Sequence, residues 1–228
     1  ADGQEDLCFA TYVPSTGSRR FTGILSKIIL PLSSERDVHG NVSFNPEYLE
    51  RVLRLAAARK EGVAFLHSHP FPGWQCMSKD DEVAESRIAP AVMAVTGLPL
   101  LGLTMGNDGT WSARFWQKDS CIKRKYNRNW CESVRVITKG LKVDFNDNLL
   151  TPQIDDEAQL RTIAAWGEKT QSDLSRLKIG IVGLGSVGSI VAKILAKNGM
   201  SHFTLIDFDT IELKNMDRME VEKDDIGR

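Results

Sequence analysis

Two histidines one residue apart, His67 and His69, open the densest group of chemically capable side chains in this sequence. On an extended segment, residues i and i+2 point to the same side, so both imidazoles can reach one zinc ion at about 2.0–2.1 Å. Pro70 stops the strand and stiffens the turn after it, Gly73 permits a tight backbone, and residues 77–81 open a helix. Ser78 is placed as its N-cap and Asp81 at N3, where a carboxylate can face back toward the strand end. Two histidines and one carboxylate leave a coordination position for water, the layout of a catalytic zinc. Cys76 is close in sequence, but that open position suits water better.

A second group lies far downstream. The apolar run 178–182 leads into Gly183-x-Gly185-x-x-Gly188 and then into a helical pattern. Such a turn lets the backbone approach a nucleotide, and the helix N-terminus favours an anionic phosphate. The three glycines alone fit NAD enzymes, ATP-binding proteins or plain helix–strand packing. Asp207 and Asp209 end the next strand, and Asn215-x-x-Arg218 follows.

The elements that must position these groups are legible from periodicity and punctuation. Residues 7–13 read as a strand, 14–18 as a turn and 21–32 as a second strand. Residues 46–60 read as a helix with 3–4 apolar spacing and Pro46 in its first turn. A short buried strand, 62–66, delivers His67, and residues 80–89 read as the next helix. Residues 92–105 and 111–116 read as a strand pair turned at 106–109. Residues 146–152 read as a linker and 155–166 as a helix capped near Asp155 or Asp156. Strand 178–182, the Gly-rich turn, a helix to about 198 and strand 203–206 form the opening of a doubly wound α/β domain. His39 falls in a Gly-containing loop and suits a structural or solvent role, and Trp74 either covers the site or packs.

Composition bounds the function classes. The 228 residues suffice for one large domain or two small ones. A formal net charge of -1, 42% hydrophobic and 26% charged residues give no electrostatic reason to expect nucleic acid or a membrane surface as partner. No stretch reaches the roughly 18 apolar residues of a membrane span. The N-terminus, Ala1 to Asp6, is acidic, lacks an apolar signal core and does not begin with Met. Cys8, Cys76, Cys121 and Cys131 form no C-x-x-C pair, which reads as reduced thiols in a cytoplasmic protein.

His67-x-His69-Pro70 followed by Ser78-x-x-Asp81 resembles the JAMM (JAB, MPN-plus) metalloproteases over about residues 1–145. The resemblance implies a JAB/MPN-type mixed α/β domain, here residues 1–147, that cuts peptide or isopeptide bonds after the tail of a ubiquitin-like protein. His67, His69 and Asp81 would hold Zn2+. Eight residues separate His69 from Ser78, one more than in the commonest form of the motif, and an ungapped match would put Asp80 in place of Asp81. The family's upstream acid/base, a Glu, corresponds to Glu5, with Glu35 as the competitor. Ser78 would hydrogen-bond the developing oxyanion.

The second group resembles the ThiF/E1 family, whose pattern runs G-x-G-x-x-G, D-x-D, N-x-x-R. Residues 148–228 are thus expected to hold a linker, a helix and the first part of a Rossmann-like doubly wound domain that adenylates the C-terminus of a ubiquitin-like protein with ATP and Mg2+. By this match Gly183, Gly185 and Gly188 shape the turn, Asp207 would bind the ribose hydroxyls, Asp209 completes the D-x-D of the nucleotide site, and Arg218 would contact the phosphates with Asn215 nearby. Arg161, ahead of Trp166-Gly167, matches a helix whose Arg reaches ATP. The family's later residues are absent, so the expectation is a piece of a longer bacterial protease–E1 fusion. A ubiquitin-like protein or its conjugates are the expected partners, and an E2-like partner and a homodimer through the E1-like region remain open. The alternative is a non-catalytic MPN-type interaction module attached to an adenylyltransferase.

Overall fold

A computed structural model describes residues 5–18, 20–39, 41–154 and 157–228. They divide into two compact units between Asn146 and Asp147, both mixed in helix and strand.

The first unit is built on β1 (Leu7–Gly17), β2 (Arg20–Ile29), β5 (Gly62–Ser68), β6 (Leu100–Met105), β7 (Trp111–Lys118) and β8 (Tyr126–Trp130). They form one sheet in the order β2-β1-β5-β6-β7-β8, in which only β5 and β6 run parallel. Two helices, α1 (Pro46–Arg59) and α2 (Lys79–Thr96), pack against it. Strand alternation sorts the side chains. Phe9, Val63, Phe65, Leu100 and Trp116 join Tyr48, Val52, Ala56, Ile88 and Val92 of the helices in one core. Ala10, Tyr12, Ala64, Leu66, Leu101, Leu103, Ala113 and Phe115 form a second. The strand β5 is therefore buried on both faces, and His67 shares the face of Phe65, the one turned toward the helices. Short hairpins β3 (Arg36–His39) with β4 (Asn41–Phe44) and β9 (Ser133–Ile137) with β10 (Leu141–Phe145) complete the unit.

Several expectations need correction. The turn expected at 14–18 is strand: β1 runs to Gly17, paired with β2 throughout. The expected strand 92–105 is divided, because α2 passes through Pro90 and ends only at Gly97, whose left-handed φ of 70° closes the helix. Val92 and Ile88 lie one turn apart on its buried face, and that burial outweighs the bond lost at the proline. His39 ends β3 rather than sitting in a loop.

The second unit holds α3 (Leu160–Trp166), α4 (Glu168–Ser175), β11 (Lys178–Val182), α5 (Ser186–Lys197) and β12 (His202–Ile206), with β11 and β12 paired in parallel. Strand, glycine turn, helix and parallel strand follow the expected doubly wound opening. The expected cap at Asp155 or Asp156 lies outside the described residues, and the N-cap of α3 is Gln159. The expected linker is not free: Arg176 bonds Asp147 and donates to the Leu150 carbonyl at 3.2 Å, so a buried guanidinium ties it to the second unit. The four cysteines are free thiols, and no described helix is long and apolar enough to cross a membrane.

The tightest backbone–side-chain fit in the first unit is at Gly62, where an added Cβ would lie 2.3 Å from the Tyr12 ring. That ring is buried, and its hydroxyl donates to the Pro99 carbonyl at 2.7 Å, so it has no room to yield. Gly62→Ala is expected to lower unfolding stability by about 1–3 kcal/mol, the usual cost of overpacking. Urea denaturation of parent and variant checks this, and equal midpoints contradict it.

Candidate metal centre and nucleotide turn

His67 is the second-last residue of β5, and His69 follows just beyond the strand. The backbone of His69 donates to the Met105 carbonyl at 2.8 Å, which keeps the chain extended past the strand end. Asp81 comes from the first turn of α2. Ser78 caps that helix, its hydroxyl accepting from the Asp81 N–H at 3.1 Å while Asp81 Oδ2 accepts from the Ser78 N–H at 2.8 Å. This reciprocal capping box aims the carboxylate back at the strand. Asp81 Oδ1 lies 3.4 Å from His67 Nε2, and Oδ2 lies 3.3 Å from His69 Nε2. Ligands at about 2.0–2.1 Å from a tetrahedral zinc sit about 3.4 Å from one another, which matches these two contacts, and one donor atom of each of the three residues lies within 4.8 Å of the others.

The electrostatics agree with the geometry. Burial pushes the Asp81 carboxyl up, but hydrogen bonds from His67 and His69 outweigh it and hold it well below the usual carboxylate range. The Asp81 contact raises His69 above the usual histidine value, against the smaller opposing effect of burial. Positive charge between these groups is favoured, whether carried by a proton or by a metal.

Glu5 is placed by the register. The β1–β5 pairing sets Leu7 opposite His67. Asp6 continues it, accepting from the Ser68 N–H at 2.9 Å through its carbonyl and donating to Ser68 Oγ at 2.9 Å. One step further brings Glu5 level with His69, and its charge helps to raise the His69 pKa. Glu35 is committed elsewhere, accepting two bonds from Arg51 and one from the Leu32 N–H at 2.8 Å. Asp80 is exposed and outside the His67–His69–Asp81 group. Cys76 is exposed, and Trp74 sits 6.3 Å from Trp130, ring centre to ring centre.

Sequence reasoning missed Gln75 and Thr104. Gln75 is buried, donates to the carbonyls of Phe71, Pro72 and Gly73 at 2.8–3.0 Å, and faces the His69 imidazole. It thereby shapes the loop 70–77. The same loop is held from the 106–109 turn, where Asp108 accepts from the Gly73 N–H at 3.0 Å. Thr104 Oγ1 lies 3.2 Å from His67 Nε2. Parallel pairing of β6 with β5 sets Thr104 beside His67, a proximity no local pattern reveals.

In the second unit Gly183 takes φ 86° and donates to the Ile206 carbonyl at 2.8 Å. A Cβ on Gly188 would lie 1.8 Å from the Gly183 carbonyl oxygen, so this position admits no side chain. Gly185 is the N-cap of α5. Asp207 accepts from the Leu184 N–H and, at 2.9 Å, from the Asp209 N–H. These backbone bonds hold its carboxyl below the usual range. The structure thus joins the glycine turn to Asp207. Asn215 caps its own short turn by accepting from the Glu212 N–H at 2.7 Å. Arg218 pairs with Asp217 at 3.2 Å, and Arg161 is exposed on α3.

Comparison with known proteins bears on this second region. Residues 157–228 match the ThiF family model. Over 49 residues the chain is 45% identical to ubiquitin-like modifier-activating enzyme 5 of Oryza sativa subsp. japonica, covering 22% of this chain and 12% of that protein. Over 87 residues it is 31% identical to the Drosophila melanogaster enzyme of the same name, covering 37% and 22%. The solved structure of TcdA (CsdL) aligns with 30% identity and a TM-score of 0.31 over 36% of this chain and 30% of that one. The chain therefore spans between 12% and 22% of the length of these two relatives. Residues 157–228 are a ThiF/E1-like region.

The paired shifts at Asp81 and His69 have a signed consequence in metal-free protein. The lowered carboxyl stabilises the fold at pH above its unfolded value of about 3.9, and this is lost as pH falls below that. The raised imidazole stabilises below its unfolded value of about 6.5, and this is lost as pH rises through its higher folded value. The stability lost in Asp81→Asn is therefore expected to be largest between about pH 4 and 6.5 and to shrink on either side. Thermal melts in chelator across pH 3–9 test this, and a pH-independent difference contradicts it.

Proposed function

We propose that residues 5–146 form a zinc-dependent peptidase or isopeptidase that cuts after the C-terminal tail of a ubiquitin-like protein. Residues 157–228 would contribute the nucleotide-binding part of an E1-like adenylating domain acting on the same class of partner. The observation that carries the first half is the convergence of His67, His69 and Asp81 with Glu5 level with His69. The second half rests on the ThiF match and on relatives named for activating ubiquitin-like modifiers.

Zinc held by His67 Nε2, His69 Nε2 and Asp81 would polarise the scissile carbonyl. Oδ2 of Asp81 also accepts from the Ser78 N–H, a bond that would hold the carboxylate in place for the metal. Glu5, beside His69, takes a proton from the attacking water and returns it to the leaving amine. The Ser78 oxygen accepts from the Asp81 N–H, so its own proton is available to a developing oxyanion. In the second unit, ATP with Mg2+ would lie on the Gly183–Gly188 turn, its ribose hydroxyls donating to Asp207.

Metal analysis should find near one zinc per chain, and cleavage of ubiquitin-like fusions from the same genome should stop in chelator. Glu5→Gln should keep zinc and lose at least about a hundredfold in cleavage rate, the low end of what general acid–base catalysis supplies. Asp81→Asn should release zinc, and Asp80→Asn should not. A zinc-free parent protein, or zinc content governed by Asp80, sinks this assignment.

For the nucleotide turn, Asp207→Ala removes both the carboxylate offered to ribose and the brace on Leu184. It is expected to weaken ATP binding about tenfold or more, the worth of a hydrogen bond to a charged group. Calorimetric titration with ATP and Mg2+ checks this, and unchanged affinity counts against the role of Asp207.

A further inference from the structure

Five cations and a single acid fall between residues 117 and 128, in a chain whose formal net charge is -1. They belong to the β7–β8 hairpin, which the proposed reaction does not use. Lys118, Lys123, Arg124 and Lys125 are exposed around its connection. The one acid is spent inside the hairpin. Asp119 accepts from the Ile122 N–H at 2.9 Å, from the Asn127 amide at 2.9 Å and from the Cys121 N–H at 2.8 Å. These bonds, the Ile122 one foremost, hold its carboxyl down at about 2, with a smaller contribution from Lys125. The hairpin therefore presents a concentrated positive tip, complementary to an acidic partner.

The strand that leaves this tip supplies a second kind of contact. β8 is the last strand of the sheet. The Lys125 carbonyl accepts from the Asp119 N–H at 2.9 Å, and the Cys131 N–H donates to the Ala113 carbonyl at 2.9 Å. The ladder to β7 thus falls on odd-numbered residues, and the N–H and C=O groups of Tyr126, Arg128 and Trp130 point to the open edge. That spacing receives an added strand. A nucleic acid has no matching amide ladder, so the edge favours a polypeptide among polyanions.

The same strand adjoins the metal centre. Arg128 pairs at 3.5 Å with Glu82, the residue after Asp81, and donates at 3.5 Å to the sulfur of Met77, the residue before Ser78. Trp130 lies beside Trp74, which belongs to the loop between His69 and Ser78. A segment lying along β8 therefore runs past the residues that flank Ser78 and Asp81.

We propose that the β7–β8 hairpin is the docking strip for an acidic, extended stretch of the substrate polypeptide, its carboxylates on the Lys118–Lys125 tip and its backbone on the outer edge of β8. The inference rests on the peptidase reading above, which makes the docked chain a substrate.

A fluorescein-labelled peptide alternating Glu and Thr carries its carboxylates on one face when extended and serves as the probe, read by anisotropy. It should bind the protein, more weakly as salt rises, and its counterpart with Lys in place of Glu should not. Lys118→Glu/Lys123→Glu should weaken binding about tenfold or more, the combined effect of exposed ion pairs lost and reversed, with zinc content unchanged. Arg128→Pro removes an outward N–H that β7 does not use, whereas Arg128→Gln removes the same charge and keeps that N–H, so the proline variant should bind more weakly than the glutamine one. The unlabelled peptide should also inhibit cleavage of the ubiquitin-like fusions competitively. A zinc-loaded parent protein that does not bind the peptide, or binds it without inhibition, overturns the docking strip and leaves the metal centre standing. Oligo(dT) that binds as tightly as the peptide and competes with it overturns the choice of a polypeptide, and this comparison decides should Arg128→Pro not fold. A parent protein without zinc overturns the peptidase reading, and with it the docked chain's standing as substrate, whatever the anisotropy shows.

Discussion

A carboxylate with no exposed surface needs a partner, and the position of α2 follows from where Glu85 finds one. Its fork-to-fork pairing with Arg114 joins the helix to β7 at one register only, because two parallel bonds tolerate little sliding. Ile88, Ala89 and Val92 supply apolar contact only from the middle of the helix onward. Toward the N-terminus the ion pair takes over. Breaking such a pair from one side costs roughly 3–5 kcal/mol, since the other charge stays buried. Asp81 precedes Glu85 by four residues and so shares its face of the helix. The contact that seats α2 therefore also points Asp81 at the end of β5.

Asp81 serves two structures with one carboxylate. Oδ2 closes the capping box with Ser78, and Oδ1 faces His67. A cap of this kind fixes where the helix begins, and the positive end of the helix favours a carboxylate in its first turn. Helix start and candidate ligand are set by the same bonds. Any change that moves the N-terminus of α2 by one residue would turn the carboxylate by about a hundred degrees and dissolve the group. That explains why Asp80, its immediate neighbour, is exposed and takes no part.

The legible parts of the chain were those whose signal is local. His67-x-His69 on a strand end, a serine three residues ahead of an aspartate, and strand–glycine turn–helix–strand each sit within a short window. Their placement follows from strand and helix periodicity alone. What stayed hidden depends on partners distant in sequence. Arg114 looks like an ordinary charge on a hairpin, and only the parallel β5–β6 pairing and α2 reveal its burial. The helical reading stops at residue 89, yet burial of Val92 in the core carries the helix on to Thr96. Strands β8, β9 and β10 alternate polar and half-buried residues and give little hydrophobic contrast. Gln75 organises a loop through three carbonyls, a role that no residue type announces.

The two centres are built on different principles. In the first unit the donors are side chains, carried by a strand end and a helix start that buried polar bonds hold rigid, so the group is formed before any ligand arrives. In the second unit the working surface is backbone. Asp207 uses its two oxygens on the N–H groups of Leu184 and Asp209, which draws the glycine turn against the end of β12. The Leu184 N–H is thereby occupied and faces a negative charge. An anionic group approaching this turn is repelled there and is favoured instead at the N–H groups of the first turn of α5, which have no partner within the helix. A neutral hydroxyl has the opposite preference, since it can donate to Asp207. On the proposed function, a nucleotide on this turn would therefore have its phosphates drawn to the helix end and its sugar to the strand end.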